Sequence, residues 1–115
     1  MQQKIDRSAI SPDESEKLKD KLADNLQVSD GILEIRQILR HKKRFLDLLL
    51  LADEQESMIN LYLERGEMFA LYDQNILRTI CVVTNEGDKT VELKNIATDP
   101  QYQKLGYGKK LIKFI

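Results

Sequence analysis

The sequence predicts an α+β fold in which an antiparallel meander of strands forms a sheet flanked by helices. Three runs rich in β-branched and aromatic residues follow one another in residues 68–98, and only short turn sequences separate them. Helical periodicity precedes these runs in residues 41–66 and resumes after them in residues 108–115. With one further strand in residues 32–39, the predicted order is strand, helix, helix, three strands, helix.

Residues 1–31 are predicted to form a helical arm ahead of a domain that spans residues 32–115. A capping serine, a proline at the first helical position and an acid that reaches back are typical of a helix start, and they occur together in residues 11–14. Leucines then recur with helical spacing at Leu18, Leu22 and Leu26. This narrow apolar stripe predicts a helix that ends before Asp30 and docks on another surface, because it is too thin to be stable alone.

The first part of the domain predicts a strand followed by two helices. The sequence ILEIRQIL alternates apolar and polar residues in its first part, which is typical of a strand. A helix is predicted across HKKRFLDLLLLAD, where one face carries Phe45, Leu48, Leu49 and Ala52. A second helix is predicted across EQESMINLYLERG, with Gly66 as its stop. Its apolar face carries Ile59, Tyr62 and Leu63.

The second part of the domain predicts the meander and a last helix. The three strands are MFALYDQ, ILRTICVVT and TVELKNIAT, and the turn NEGDK precedes the third. The third strand leads through Asp99 and Pro100 into the segment QKLGYG, residues 103–108. The final helix, GKKLIKFI, reaches the end of the sequence after about two turns.

The composition is that of one small globular domain. The chain has 115 residues, of which 42% are hydrophobic and 32% charged, and its formal net charge is -1. No apolar stretch has the length of a membrane span or the pattern of a signal core, so we expect a cytoplasmic protein that does not bind membranes. One cysteine, Cys81, and one histidine, His41, do not supply a zinc-finger type of metal site. The basic run at residues 41–44 indicates a solvated helix start, and nucleic acid is not an expected partner.

The segment QKLGYG has the chemistry of a phosphate site. Glycines allow a tight turn and the close approach of a ligand to backbone N–H groups. The first turn of the following helix leaves N–H groups unpaired and carries a partial positive charge. From Pro100 onward there is no acid, and the chain carries Lys104, Lys109, Lys110 and Lys113. A glycine pair alone is equally typical of a simple turn, but this charge pattern favours a diphosphate.

Two common nucleotide motifs are excluded. A dinucleotide fold places its glycine-rich loop in a parallel βαβ unit with an acid further on, whereas this loop follows a meander. A P-loop requires Gly-Lys-Ser/Thr after a longer spacer, and GYGKKL lacks the hydroxyl residue.

The stretch VELKNIATDPQYQKLGYGKKLIKFI resembles the acetyl-CoA-binding motif of the GCN5-related N-acetyltransferase (GNAT) family. In that family a central strand is followed by an Asp/Asn/His-Pro turn, an aromatic residue and a Gln/Arg-x-x-Gly-x-Gly/Ala loop that opens the main helix. Here Asp99 and Pro100 supply the turn, Tyr102 is the aromatic residue, and Gln103 to Gly108 form the loop. The resemblance runs from about Ile32 to Ile115, and it implies an acetyl-CoA-dependent transfer to an amine.

The resemblance also implies which residues contact the coenzyme. In the family the loop amides hold the pyrophosphate, and the strand before the loop pairs with the pantetheine arm. The loop residues implied are Gln103, Lys104, Leu105, Gly106, Tyr107, Gly108 and Lys109. The strand residues implied are Ile96, Ala97 and Thr98. A backbone N–H near Ala97 is expected to polarise the acetyl carbonyl.

Glu92 is the expected proton acceptor for the attacking amine. It lies near the start of the same strand, and its spacing from the loop glutamine matches that of the base in the histone-type members. The alternative is that Glu92 simply faces solvent, as acids on alternating strands usually do.

The sequence departs from the family after the main helix. Full members continue with a strand, a helix that carries a tyrosine acid for the thiolate, and a final hairpin. The chain ends at Ile115, so the resemblance implies a truncated domain, either a fragment of a longer protein or one completed by a second copy or a complementing chain. The alternative function is a non-catalytic module that binds coenzyme A or self-associates.

Overall fold

The structure, a computed structural model, describes residues 23–115 and contains a five-stranded antiparallel sheet with helices on both faces. The strands lie across the sheet in chain order. They span Asn25–Ser29 (β1), Leu33–Ile38 (β2), Glu67–Asp73 (β3), Ile76–Asn85 (β4) and Val91–Thr98 (β5). The predicted α+β fold with an antiparallel meander is therefore confirmed.

Helical segments join the strands within this range. The α-helices span Leu46–Ala52 (α1), Glu56–Asn60 (α2) and Tyr107–Phe114 (α3), and short 3-10 helices span Lys42–Phe45 and Pro100–Tyr102. The second helix is shorter than predicted, because the chain continues as turns from Leu61 to Arg65 before β3. None of the helices in residues 23–115 has the length and apolar character needed to cross a membrane.

β1 shows that the helix prediction for the end of the N-terminal arm was wrong. Asn25–Ser29 is a strand that pairs antiparallel with β2, and Leu26 lies within it. Leu18 and Leu22, the other leucines of the predicted stripe, lie outside the described residues. The described end of the arm is thus part of the sheet.

The turn between β1 and β2 explains this difference. The Asp30 carboxylate accepts hydrogen bonds from the backbone N–H groups of Ile32 at 3.1 Å and Leu33 at 2.7 Å, which lower the pKa of Asp30. Gly31 adopts φ +94°, a conformation that glycine reaches without a steric penalty. The turn directs residues 25–29 back along β2, so strand pairing prevails over a helical spacing of leucines.

The sheet separates two hydrophobic clusters. Side chains alternate along β3, so that Met68 and Ala70 face α1 and α2, whereas Phe69 and Leu71 face α3. The α3 side also contains Cys81, which is fully buried, and burial raises the pKa of its thiol to about 12. Each face of the central strands is therefore covered.

One residue of the basic run at residues 41–44 is buried in the fold, whereas His41 and Lys43 are exposed as predicted. Lys42 is buried, and its ammonium donates hydrogen bonds to the carbonyl oxygens of Leu63 at 3.0 Å, Glu64 at 3.3 Å and Gly66 at 2.8 Å. These carbonyls lie where the chain leaves α2 and enters β3. Lys42 thus holds the connection between the helices and the sheet.

We predict that Lys42→Met destabilises the protein by about 3 kcal/mol, because three carbonyl oxygens lose a charged donor. The matched control is Lys43→Met, which removes a neighbouring ammonium that is exposed and pairs with Glu56 at 2.8 Å. An exposed pair contributes about 1 kcal/mol or less. Urea denaturation measures both free energies of unfolding, and similar losses in the two variants would contradict the structural role of Lys42.

Candidate functional site

A capped turn begins the segment between β5 and α3. The Asp99 carboxylate accepts a hydrogen bond from the backbone N–H of Gln101 at 2.9 Å, and the Asp99 carbonyl accepts one from the N–H of Tyr102 at 2.8 Å. The side-chain amide of Gln103 then donates to the carbonyl of Thr98 at 3.2 Å. These bonds return the chain to the end of β5 before the glycines begin.

Two left-handed residues shape the loop itself. Lys104 adopts φ +67° and Gly106 adopts φ +88°, and Gly106 is the residue that precedes the first turn of α3. A Cβ added at Gly106 would meet no heavy atom within 4 Å, so its requirement for glycine is one of backbone conformation and not of space. Successive turns of this kind aim neighbouring N–H groups into one concavity.

The start of α3 presents unpaired backbone donors. Lys110 is the first residue of this segment whose N–H bonds back along the helix, to the carbonyl of Gly106 at 3.0 Å. Among the described residues, no carbonyl accepts a hydrogen bond from the N–H groups of Gly106, Tyr107, Gly108 or Lys109. Unpaired N–H groups with the partial positive charge of the helix start fit an anion.

Mobile positive charge surrounds these donors. The side chains of Lys104, Lys109, Lys110 and Lys113 are exposed, and residues 100–115 contain no acid. Among residues 23–115, no carboxylate lies within ion-pair distance of these lysines. The local charge therefore adds to the preference of the backbone donors for an anion.

Gly108 brings the loop and β5 together. A Cβ at Gly108 would lie 3.7 Å from the side chains of both Ile96 and Thr98, so the start of α3 packs directly over these two residues. Ala97 is buried on the opposite face, in the cluster under α1 and α2. The structure thus places two of the three predicted strand side chains beside the loop and the third behind the sheet.

The free edge of β5 lies next to the loop. Within the described sheet β5 pairs only with β4, and the N–H of Asp99 donates to the carbonyl of Arg78 at 2.9 Å. In an antiparallel ladder the backbone groups of alternate residues face the partner. Those of Ala97 therefore face β4, whereas those of Ile96 and Thr98 face outward. The N–H group near Ala97 that we expect to polarise the acetyl carbonyl would therefore be that of Ile96 or Thr98.

A β-bulge determines the position of Glu92. Val82 pairs with Asn95 and Val83 with Leu93, so Lys94 is an extra residue in β5. The bulge shifts the alternation, and Glu92 shares the face of Asn95 that packs toward α1 and α2. The Glu92 carboxylate is 57% exposed and pairs with the Lys94 ammonium at 3.0 Å. Glu92 lies at the end of β5 remote from the loop.

Asn95 is a buried polar residue that the sequence prediction missed. Its side-chain N–H2 donates to the carbonyl of Leu49 and to the hydroxyl oxygen of Tyr62, both at 3.0 Å. The Tyr62 hydroxyl donates in turn to the Asp53 carboxylate at 3.2 Å, and burial raises the pKa of this phenol. These bonds fix β5 against α1 and the turns after α2. The signal in the sequence was an asparagine within a predicted strand. Its burial could not be predicted, because the bulge at Lys94 shifts the alternation of buried and exposed positions.

The sequence of this chain matches a family model. The chain belongs to the acetyltransferase (GNAT) family, whose model matches residues 32–115. The family predicted from the loop motif is thus confirmed. A curated relative, the uncharacterized N-acetyltransferase YvbK of Bacillus subtilis (strain 168), is 41% identical over 66 residues, which are 57% of this chain and 43% of the relative.

Solved structures of the family share the fold. A GNAT family acetyltransferase from Elizabethkingia anophelis with acetyl-CoA bound matches with a TM-score of 0.66 and 30% identity, over 74% of this chain and 56% of that one. A Bacillus subtilis acetyltransferase in complex with CoA matches with a TM-score of 0.63 and 36% identity, over 70% of this chain and 53% of that one. The chain spans about half the length of the proteins it matches.

We predict opposite effects on stability for alanine at the two loop glycines. Gly106→Ala lowers the free energy of unfolding by about 1 kcal/mol, because an L-residue is strained at φ +88°. Gly108→Ala leaves it unchanged or raises it by up to about 1 kcal/mol, because the added methyl meets only ordinary contacts in a helix. Urea denaturation of both variants measures the difference, and a larger loss for Gly108→Ala would contradict the loop geometry.

Proposed function

We propose that this chain binds acetyl-CoA and transfers its acetyl group to an amine by direct attack on the thioester. The observation that carries the proposal is the set of unpaired N–H groups from Gly106 to Lys109, at a left-handed helix start in a segment, residues 100–115, that contains lysines and no acid. Such a site fits the diphosphate of coenzyme A. The matched structures with acetyl-CoA or CoA bound support this assignment.

Different residues around the loop contact different parts of coenzyme A. The backbone of residues 103–108 cradles the diphosphate, and the exposed ammonium groups of Lys104 and Lys109 add charge at its rim. Leu105 is exposed and contributes its backbone. The outward N–H and C=O groups of Ile96 are available to an extended pantetheine arm, as those of an edge strand are to another strand.

Acetyl transfer to an amine also requires a group that accepts the proton of the amine, and Glu92 lies at the other end of β5. Bound acetyl-CoA supplies an activated acyl group with a thiolate leaving group. We assign to Glu92 the role of general base, which takes a proton from the attacking amine as the nitrogen bonds to the carbonyl carbon and the carbon–sulfur bond breaks. The exposure of Glu92 and its position on the face toward α1 support contact with a solvent-borne amine.

The second candidate function is a non-catalytic module that binds coenzyme A or self-associates. Two observations favour it. In residues 23–115 no strand pairs with the outer edge of β5. Leu93 on β5, Ile112 on α3 and Ile115 just after α3 are also more than 40% exposed. A second copy or a complementing chain that pairs with β5 is the corresponding partner.

Calorimetric titration with coenzyme A tests the binding proposal. We expect Gly106→Asp to weaken binding at least about tenfold, because it places a carboxylate at the anion site in a strained backbone conformation. The matched control is Gly87→Asp, since Gly87 has nearly the same geometry, at φ +91° with open space around its Cβ, but lies in the turn at the opposite end of β5. The control should bind as the wild type does. An absence of heat with the wild type would remove the proposal.

A thiol-release assay with acetyl-CoA and mixed amines tests the role of Glu92. We expect Glu92→Gln to lower kcat about 100-fold with little change in KM for acetyl-CoA. Lys94→Met, which removes the ion pair but keeps the base, is expected to retain most of the activity. Equal losses in the two variants would mean that the ion pair alone matters. Flat turnover by a wild type that binds coenzyme A would favour the second candidate.

A further inference from the structure

Arg78 lies beneath the loop and contacts the two tyrosines that flank its left-handed turns. The guanidinium carbon of Arg78 is 4.0 Å from the ring centre of Tyr102, the residue before the loop, and 5.4 Å from that of Tyr107, the first residue of α3. Both distances are within the range of cation–π contacts. Arg78 is only 8% exposed. The segment between the two rings, residues 103–106, contains the left-handed turns of the site.

A β-bulge directs Arg78 to this position. Along β3 and β4, Leu71 pairs with Thr79 and Tyr72 with Leu77, so Arg78 is an extra residue in β4. A bulge re-aims the side chain that it inserts and increases the local twist. The carbonyl of Arg78 also accepts the N–H of Asp99, so the same residue holds the end of β5.

The end of β3 completes the arrangement. The Tyr107 hydroxyl donates a hydrogen bond to the Asp73 carboxylate at 2.7 Å, and Arg78 donates to the Asp73 carbonyl at 3.1 Å. The bond to Asp73, followed by burial, raises the pKa of Tyr107, so its hydroxyl remains a donor at neutral pH. No carboxylate of the described residues lies within ion-pair distance of Arg78, and its Nε has no hydrogen-bond partner there. Ring contacts and one hydrogen bond therefore hold the guanidinium.

We propose that Asp73, Arg78, Tyr102 and Tyr107 form a clamp that positions the loop amides for the diphosphate of the coenzyme. The inference rests on the proposed function, and it adds four side chains that position the loop without touching the ligand. The planar guanidinium contacts two rings at once, which fixes the separation of the loop ends. The Tyr107 hydroxyl fixes the rotation of the first helical turn, and with it the directions of the N–H groups of Gly106 and Gly108.

Affinities for coenzyme A and for pantetheine, which lacks the diphosphate, test the clamp. Both dissociation constants are measured by ¹⁵N NMR titration, which reaches the millimolar range. We expect Tyr107→Phe, which keeps the ring and loses the hydroxyl, to weaken coenzyme A binding about fivefold. Arg78→Met is expected to weaken it about tenfold or more. Pantetheine binding should change less than about twofold in both variants, because pantetheine contacts β5 and not the loop.

Two controls separate positioning from other effects. Tyr62→Phe deletes the same kind of hydrogen-bonded hydroxyl in the network on the other face of the sheet, and it should leave coenzyme A binding unchanged. Arg78→Lys keeps the charge but not the planar group, so it should resemble Arg78→Met.

The outcomes are distinct. Wild-type affinity of Tyr107→Phe and Arg78→Met for coenzyme A, equal losses for coenzyme A and pantetheine, or full rescue by lysine would each overturn the clamp and leave the proposed function standing. A wild type that does not bind coenzyme A would overturn the proposed function itself.

Discussion

The antiparallel pairing of β4 with β5 determines which residues of β5 face the loop and which face the helices α1 and α2. The register of this pairing directs the backbone N–H and C=O groups of Ala97 toward β4 and those of Ile96 and Thr98 outward. The extra residue Lys94 then places Asn95 under α1, although strict alternation from Glu92 would have placed it on the other face. A slip of one residue in this register would exchange the two faces and separate the loop from the strand beneath it.

The bulges of the β3–β4 and β4–β5 pairs orient residues at opposite ends of the candidate site. The bulge between β4 and β5 lies at Lys94, and the one between β3 and β4 lies at Arg78. The first brings Glu92 and Asn95 to one face, and the second brings Arg78 under the loop. A bulge leaves one residue without its place in the ladder, so we explain these two positions by the side chains that they orient.

The sequence predicted the features that rest on local chemistry. The meander, the helix after QKLGYG and the family followed from β-branched runs, turn residues and a glycine-rich motif, all of which act within a few residues. The helix prediction failed at Leu26 because helical spacing is weak information beside the turn at Asp30 and Gly31. That turn was visible in the sequence, but it was interpreted only as the end of a helix.

The features that depend on distant partners could not be predicted. Lys42 appeared as one of several bases at a helix start, and its acceptors lie more than 20 positions away, at Leu63 and beyond. The partner of Asn95 at Leu49 is 46 positions away. No residue type in these strands marks where the alternation of faces shifts, so the roles of Arg78 and Lys94 are visible only in the register of the folded sheet.

The position of Lys42 has a consequence for amine chemistry on the chain itself. Its ammonium donates hydrogen bonds to three carbonyl oxygens inside the protein, so its nitrogen is not accessible as a nucleophile. The lysines around the loop are open to solvent. An acylating reagent should therefore modify the exposed lysines around the loop and leave Lys42 unmodified while the chain is folded.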